Sequence, residues 1–163
     1  FLLTHGSHLV DTARFLGGEI DALRARYSSR LGAHCWFVDV AFASGALGHL
    51  DMTIAVQGDF EEGFQLFGAG GSAKCRAYLP WYHKCSEVEC FSARDREYRR
   101  PLGEDAYTYK RQIEGFADTI LHGLPQHGAS VDDGTAAVRC LVAIARSAEH
   151  GDWVRPADVS GSV

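Results

Sequence analysis

The sequence predicts an α+β fold built on an antiparallel sheet. Between residues 19 and 102, short segments alternate apolar and polar side chains and are separated by turns rich in glycine or proline. Before and after this region, apolar residues recur at the three-to-four-residue spacing of a helix. Because the strands follow one another without helices between them, we expect antiparallel pairing. We also expect residues 1–163 to form a single domain, since this length is ordinary for one domain.

An amphipathic helix is predicted over residues 1–18. Thr4 or Ser7 should cap its start, and Gly17-Gly18 should end it. One face should pack inward, because a set of apolar residues lies at i, i+4 and i+7: Leu9, Ala13 and Leu16.

His8 on this helix is the candidate proton-transfer residue. Thr4 lies four residues before it and Asp11 three residues after it, so a helix stacks all three on one side. An imidazole close to a hydroxyl and a carboxylate is suited to exchanging protons near neutral pH. His5 either lines the same pocket or is simply solvated. We expect no metal site, because the pair His5 and His8 lacks the closely paired further ligands of zinc centres.

The middle of the chain predicts strands, and the end predicts two helices. Turns are expected at Ser44-Gly45 and Gly68–Ser72, and a loop at Trp81–His83. Trp81 and Tyr109 are either an apolar platform for a sugar ring or part of the core. The predicted strands cover 19–30, 35–43, 46–57, 60–67, 73–79, 86–91 and 97–102, and the predicted helices cover 105–122 and 130–151.

Composition restricts the class of protein. The formal net charge of −5 argues against nucleic-acid binding, and no apolar run approaches the ~20 residues of a membrane span. Five cysteines without a Cys-x-x-Cys pair favour reduced thiols in a cytoplasm. The chain opens with Phe1 and its only methionine is Met52, so we expect it to be part of a longer protein.

Several motifs resemble the C-terminal domain of the Gfo/Idh/MocA oxidoreductases. The first is Gly6-Ser7-His8-Leu9-Val10-Asp11 followed by an apolar helix and Gly18-Glu19. The second is Tyr109-x-x-Gln112-x-x-x-Phe116 before His122-Gly123. The third is Ser130-x-Asp-Asp-Gly134 leading to Ser147-Ala-Glu-x-Gly151. Thr4 is a departure, because many members have an aspartate four residues before the histidine.

The resemblance implies an open, mostly antiparallel sheet with helices packed on one face and subunit contacts on the other. It implies that His8 is the catalytic residue and that Asp11 takes the place of the family's aspartate one turn later. From the residues themselves, our candidate substrate contacts are Thr4, His5, Asp11, Trp81 and Tyr109. It also implies that NAD or NADP is bound by an N-terminal Rossmann domain, which this chain lacks. The motif Gly68-x-Gly70-x-x-Ala73 fits a relaxed dinucleotide fingerprint, but the following residues predict a strand where that site needs a helix.

Our leading hypothesis is the substrate-binding and oligomerisation domain of a nicotinamide-dependent oxidoreductase. Its substrate would be a sugar, polyol or related cyclic alcohol, and it would be inert alone. It would assemble with its own Rossmann domain and form a homodimer or homotetramer through the sheet face. A non-catalytic binding and dimerisation module of the same fold is the alternative, favoured by Thr4. A small enzyme with a complete site of its own is a third hypothesis.

Overall fold

The computed structural model of the chain describes residues 1–57, 61–77, 86–102 and 107–160. These residues form α-helices and two antiparallel sheets, of three and four strands, which confirms the predicted α+β class. The chain divides into two compact units, residues 1–57 with 129–163 and residues 58–128. In chain order the elements are α1 (Leu2–Gly17), β1 (Ile20–Ser28), β2 (His34–Phe42), β3 (Leu47–Ile54), β4 (Glu62–Gly68), β5 (Gly71–Ala77), β6 (Ser86–Ser92), β7 (Glu97–Arg99), α2 (Thr108–His122) and α3 (Val131–His150).

The first unit contains the sheet β1-β2-β3, with α1 and α3 on one face. Alternate strand residues point towards the helices, as the two-residue period predicts. The two ends of α1 contact the two ends of β2, since the ring of Phe1 lies 5.2 Å from that of His34 and Gly17 lies against the ring of Phe42. The buried apolar residues that the sheet contributes are Ile20, Leu23, Ala25, Trp36, Val38, Val40, Phe42, Met52 and Ile54.

The buried stripe of α1 consists of Gly6, Val10 and Arg14. The predicted stripe is wrong by one residue, since Leu9, Ala13 and Leu16 are only half-buried beside it. Glycine allows close packing here. A Cβ atom on Gly6 would lie 2.9 Å from Cδ2 of Leu141 in α3, so the absence of a side chain lets the two helices approach.

The two ends of α1 differ from each other in how well they were predicted. The helix begins at Leu2 after Phe1, with no side-chain cap, so the predicted capping by Thr4 or Ser7 is wrong. Those hydroxyls instead bond to carbonyl groups of the helix start, Thr4 to Phe1 and Ser7 to Thr4. The predicted end is confirmed, because α1 stops at Gly17 and Gly18 has a φ of 89°.

α3 is fixed at both ends by local hydrogen bonds. Ser130 and Asp133 form a reciprocal capping box, and Gly151 ends the helix in the left-handed conformation with a φ of 80°. Ser147 is fully buried and links α3 to two other segments. Its Oγ accepts a hydrogen bond from the backbone N–H of Ala25 at 2.8 Å and donates one to the carbonyl of Asp152 at 2.6 Å.

The second unit contains the antiparallel sheet β4-β5-β6-β7 and the helix α2. β4 and β5 form a tight hairpin in which Gly68 pairs with Gly71. α2 ends at Gly123, which has a φ of 64°, as the sequence predicted. Four of its apolar residues have exposed side chains: Tyr109, Ile113, Phe116 and Ile120.

No helix in the described ranges has both the length and the apolar character needed to cross a bilayer.

Candidate functional site

The residues expected around His8 lie on the outer side of α1. His8 follows Gly6 by two residues, which places it about 200° further round the helix axis. Thr4 and His8 are exposed and Asp11 is half-buried, and Phe15 on the same side is 86% exposed. We call Thr4, His8, Asp11 and Phe15 the outer stripe. It is directed away from the core of the first unit.

The imidazole of His8 has no polar partner among the described residues. It makes no hydrogen bond to them, and no described carboxylate lies within 4 Å of its nitrogen atoms. The carboxylate of Asp11 therefore does not pair with it, although the two residues are one turn apart. Both ring nitrogens of His8 are available to a ligand that approaches the outer stripe.

Thr4 and His5 are joined by a hydrogen bond that fixes the orientation of one imidazole. Thr4 Oγ1 donates its hydrogen to the carbonyl of Phe1 at 3.0 Å and lies 3.1 Å from Nδ1 of His5. Because a hydroxyl has only one hydrogen, His5 must be the donor in the second contact. In the neutral ring this leaves Nε2 of His5 as an acceptor for a ligand.

Asp11 belongs to a cluster of charges around the buried guanidinium of Arg14. Arg14 is 8% exposed and forms two hydrogen bonds with the carboxylate of Glu19, at 3.2 and 2.5 Å. Its Nη atoms also lie 3.7 Å from Asp11 Oδ1 and 3.5 Å from Asp133 Oδ1. The hydrogen bond to Glu19 favours the charged guanidinium and raises the pKa of Arg14 in spite of burial. No sequence pattern indicated this role, because an arginine in a helix is usually solvated.

The other two predicted substrate-binding residues are not on α1. Tyr109 lies in the first turn of α2, in the second unit, and its side chain is exposed. Trp81, together with Tyr82 and His83, lies outside the described residues. Of the six predicted site residues, the structure therefore brings together four, Thr4, His5, His8 and Asp11.

A second group of rings lies at the end of the sheet where α1 begins. The sequence patterns did not predict this group. The hydroxyl of Tyr27 is 2.7 Å from Nδ1 of His34, and the rings of Tyr27 and Trp36 have centroids 4.5 Å apart. Phe1 connects this group to α1, since its ring is 5.2 Å from His34 and 6.5 Å from His5. We call Phe1, His5, Tyr27, His34 and Trp36 the aromatic cluster. The feature that could have indicated this cluster is the pairing of β1 with β2, in which Tyr27 lies opposite Trp36.

The glycine-rich segment after β4 does not form a dinucleotide-binding loop. Gly68 and Gly71 close a hairpin between two antiparallel strands, so Ala73 lies within β5 and not in a helix. The pyrophosphate of a dinucleotide needs the free N–H groups of a helix start, which this turn does not have. This confirms the prediction of a turn at Gly68–Ser72. Among the described side chains, no three His, Cys, Asp or Glu residues lie close enough together to hold a metal ion.

The described cysteines are free thiols, and burial raises the pKa of two of them. Burial raises the pKa of Cys140 in α3 to about 11, and it also raises the pKa of Cys75. A nucleophilic cysteine needs the opposite shift, because the thiolate is the reactive form. Burial therefore disfavours the thiolate form of Cys140 and Cys75.

Comparison with known proteins gives a family match for the first part of the chain. Residues 1–74 match the family model described as the GFO/IDH/MocA C-terminal domain. This match includes α1 and the whole sheet of the first unit, and it confirms the resemblance seen in the sequence. A comparison with curated proteins finds no match.

Solved structures of oxidoreductases share the fold. A protein from Desulfitobacterium hafniense, assigned as an NADPH-dependent oxidoreductase, superposes with a TM-score of 0.81 at 15% identity, covering 98% of this chain and 49% of that one. The aldose-aldose oxidoreductase from Caulobacter crescentus, complexed with glycerol, gives 0.77 at 20% identity, with 94% and 47% covered. An oxidoreductase from Agrobacterium radiobacter, in complex with NAD+, L-tartaric acid and magnesium, gives 0.70 at 16% identity, with 96% and 49% covered. This chain spans about half the length of these structures.

Proposed function

We propose that this chain, whose residues 1–74 match the family model of the GFO/IDH/MocA C-terminal domain, binds the substrate of an NAD(P)-dependent oxidoreductase. The substrate we propose is a sugar, a polyol or a related cyclic alcohol. The cofactor would be bound by a separate Rossmann domain of the same protein, because the one glycine-rich fingerprint in this chain is a β-hairpin. When bound, that cofactor accepts or supplies the hydride, and this chain supplies proton transfer and orientation.

The observation that supports this proposal best is the exposure of His8 on the outer stripe. A proton-transfer residue must reach the substrate hydroxyl at hydrogen-bond distance and must keep a nitrogen free to do so. His8 meets both requirements within the described chain, since its ring is exposed and has no polar partner there. In the proposed reaction its imidazole takes the proton of the alcohol during oxidation and returns it during reduction.

Thr4 and His5 would orient the substrate beside His8. Residues three and four apart on a helix lie about 5–6 Å from one another, which is the scale of a single sugar ring. The free Nε2 of His5 would accept a hydrogen bond from a second hydroxyl of the substrate. Asp11 would act less directly, because its carboxylate lies beside Arg14. Contact of the substrate with Trp81 and Tyr109 stays a prediction from the sequence.

We further propose that the protein is cytoplasmic and forms a homodimer or homotetramer through the open face of the sheet β1-β2-β3. The helices cover the other face, and exposed apolar residues are present on the open side at Phe37 and Leu47. Light scattering of the purified protein measures this directly. A mass equal to one chain at micromolar concentration would contradict the assembly.

The experiment that tests the function is an assay of NAD(P) reduction with a panel of cyclic polyols and sugars. It is made with the protein that carries its N-terminal nucleotide-binding domain and, separately, with the 163-residue chain alone. We expect turnover in the first case and none in the second. Turnover by the isolated chain, or none by the longer protein with any polyol, would contradict the proposal.

A non-catalytic ligand-binding and dimerisation module is the second candidate. Two observations favour it, the hydroxyl of Thr4 in place of a carboxylate and the engagement of Asp11 with Arg14. Both leave His8 without an acidic neighbour. In that case the longer protein would bind a polyol without reducing NAD(P), and the same assay combined with a binding measurement separates the two functions.

A further inference from the structure

We propose that the aromatic cluster is a binding site for a hydroxylated ring and that it takes no part in the proton-transfer step at His8. The ligand class rests on the proposed function, since it is the part of the sugar or polyol substrate that lies beyond the reacting carbon. The residues that would determine the specificity are Tyr27 and His34, which no motif in the sequence indicated.

The rings of Tyr27 and His34 are nearly parallel and are joined by a hydrogen bond. Their planes are inclined by only 16° and their centroids are 6.1 Å apart, while the phenol oxygen of Tyr27 lies 2.7 Å from Nδ1 of His34. The two rings and their polar atoms therefore form one surface. Trp36 supports this surface, with its centroid 4.5 Å from Tyr27 and 6.0 Å from His34.

The surface is accessible and has polar edges. Tyr27 is 43% exposed, whereas Trp36 beneath it is 9% exposed. Binding sites for small ligands combine aromatic faces with a few fixed polar groups, and the Tyr27–His34 hydrogen bond fixes two such groups. A sugar in its ring form fits this combination, because its C–H groups can pack on the rings while its hydroxyls bond to the phenol oxygen and the imidazole.

The histidines beside the cluster form no ion pairs with described carboxylates. Within the described residues, no carboxylate lies within 4 Å of a ring nitrogen of His5, His8 or His34, whereas His49, His122 and His150 each lie that close to one. A neutral hydroxylated ring needs no opposite charge, so these contacts are consistent with a neutral sugar or cyclic polyol.

The position of the cluster connects it to α1. Phe1 lies between His34 and His5, and His5 is one turn before His8. One helical turn advances about 5.4 Å along the axis. A ligand that reaches from His8 past His5 to the aromatic cluster is therefore longer than a three-carbon alcohol, and a ring-sized or larger substrate is expected.

Ligand binding to the 163-residue chain tests the proposal without any nicotinamide. The probes are myo-inositol and D-glucose, with glycerol as a hydroxylated probe that has no ring, and the measurement is saturation-transfer NMR with a titration for Kd. We expect both ring probes to receive saturation and glycerol to receive far less. The variants Tyr27→Phe and His34→Phe keep a ring but lose its polar edge, and each should weaken the Kd about fivefold, the equivalent of one hydrogen bond.

His49→Phe is the matched control. His49 is a histidine of the same sheet, with its ring stacked on Phe37 at 6.0 Å and bonded to Asp39, so its loss should leave Kd unchanged. Circular dichroism shows whether each variant is folded. The proposal is overturned if the ring probes receive no saturation, or if His49→Phe weakens binding as much as His34→Phe does. Binding at this cluster in a protein that never reduces NAD(P) would contradict the proposed function alone.

Discussion

The carboxylate of Asp11 lies 3.7 Å from the guanidinium of Arg14, on the same helix and one turn beyond His8. Arg14 is buried and is also held by Glu19 and Asp133, so its position is fixed by three segments of the first unit. Asp11 is consequently drawn towards the end of α1. No described carboxylate therefore pairs with the imidazole of His8.

Replacing Arg14 by methionine should lower the free energy of unfolding by about 1–3 kcal/mol. The change removes the hydrogen bonds to Glu19 and to the carbonyl of Asp133. The substitution does not leave a buried charge without a partner, because Glu19 and Asp133 are substantially exposed. This exposure limits the loss of unfolding free energy. Urea unfolding measures it. The control is Arg99→Met, which breaks an exposed pair with Asp95 and should cost less than about 1 kcal/mol. Equal losses in the two variants would show that Arg14 is an ordinary surface residue.

Gly6→Ala should destabilise the protein although alanine is the better helix former. The added Cβ would lie 2.9 Å from Cδ2 of Leu141 and 3.1 Å from Cδ1 of Leu2, so these side chains or the helices must shift, at a cost of about 1–3 kcal/mol. Gly134→Ala in α3 is the control, because no atom lies within 4 Å of its added Cβ. That variant should gain up to about 1 kcal/mol from helix propensity. Thermal unfolding should show a lower midpoint for Gly6→Ala and a higher midpoint for Gly134→Ala. A higher midpoint for both variants would contradict the close packing at Gly6.

Ser147→Ala should cost about 1–3 kcal/mol of unfolding free energy, because it leaves the N–H of Ala25 without an acceptor in a buried position. The same change at Ser7 is the control. Ser7 donates only to a carbonyl within its own helix start, so its loss should be small. Hydrogen exchange of the Ala25 amide adds a local measurement, and it should accelerate in Ser147→Ala alone. An unchanged exchange rate would argue against this contact.

The stability of the first unit should fall in acid partly through Asp133. The N–H of Ser130, followed by its hydroxyl, bonds to this carboxylate and holds its pKa below the usual range. A lowered native pKa stabilises the fold above the usual carboxyl pKa of about 3.9, and this contribution disappears as the pH falls through the native value.

The variant Asp133→Asn isolates this effect. Wild type should be more stable than the variant at about pH 7, and the difference should be smaller at about pH 2, because protonation of the carboxylate removes the contribution of its lowered pKa. Asp132→Asn, in the same helical turn, controls for the helix dipole. If wild type exceeds the variant in unfolding free energy by the same amount at both pH values, the charge of the capping carboxylate is not the source of that difference.

Sequence patterns predicted most of the fold because the local signals agreed with the packing. Two-residue alternation located β1, β2 and β3 to within a few residues, and Gly18, Gly123 and Gly151 end their helices as expected. The inward face of α1 was misplaced by one residue. A buried arginine and a buried glycine form that face, and neither is counted as apolar in a helical pattern.

The site was only partly predictable for a similar reason. Spacing along one helix is a local property, so Thr4, His5, His8 and Asp11 could be grouped from the sequence alone. The contacts of Tyr27 with His34 and of Arg14 with Asp133 join residues that are 7 and 119 positions apart. Such pairs depend on strand register and on helix packing, which no short motif records.

The most direct measurement of the central claim is the turnover of His8→Gln in the protein that carries its nucleotide-binding domain. If His8 transfers the alcohol proton, kcat with the best polyol should fall by about 10²- to 10⁴-fold while substrate binding and the unfolding midpoint stay unchanged. His49→Gln, an exposed histidine on β3, should keep wild-type turnover. If His8→Gln retained wild-type kcat, the assignment of proton transfer to the outer stripe of α1 would be contradicted.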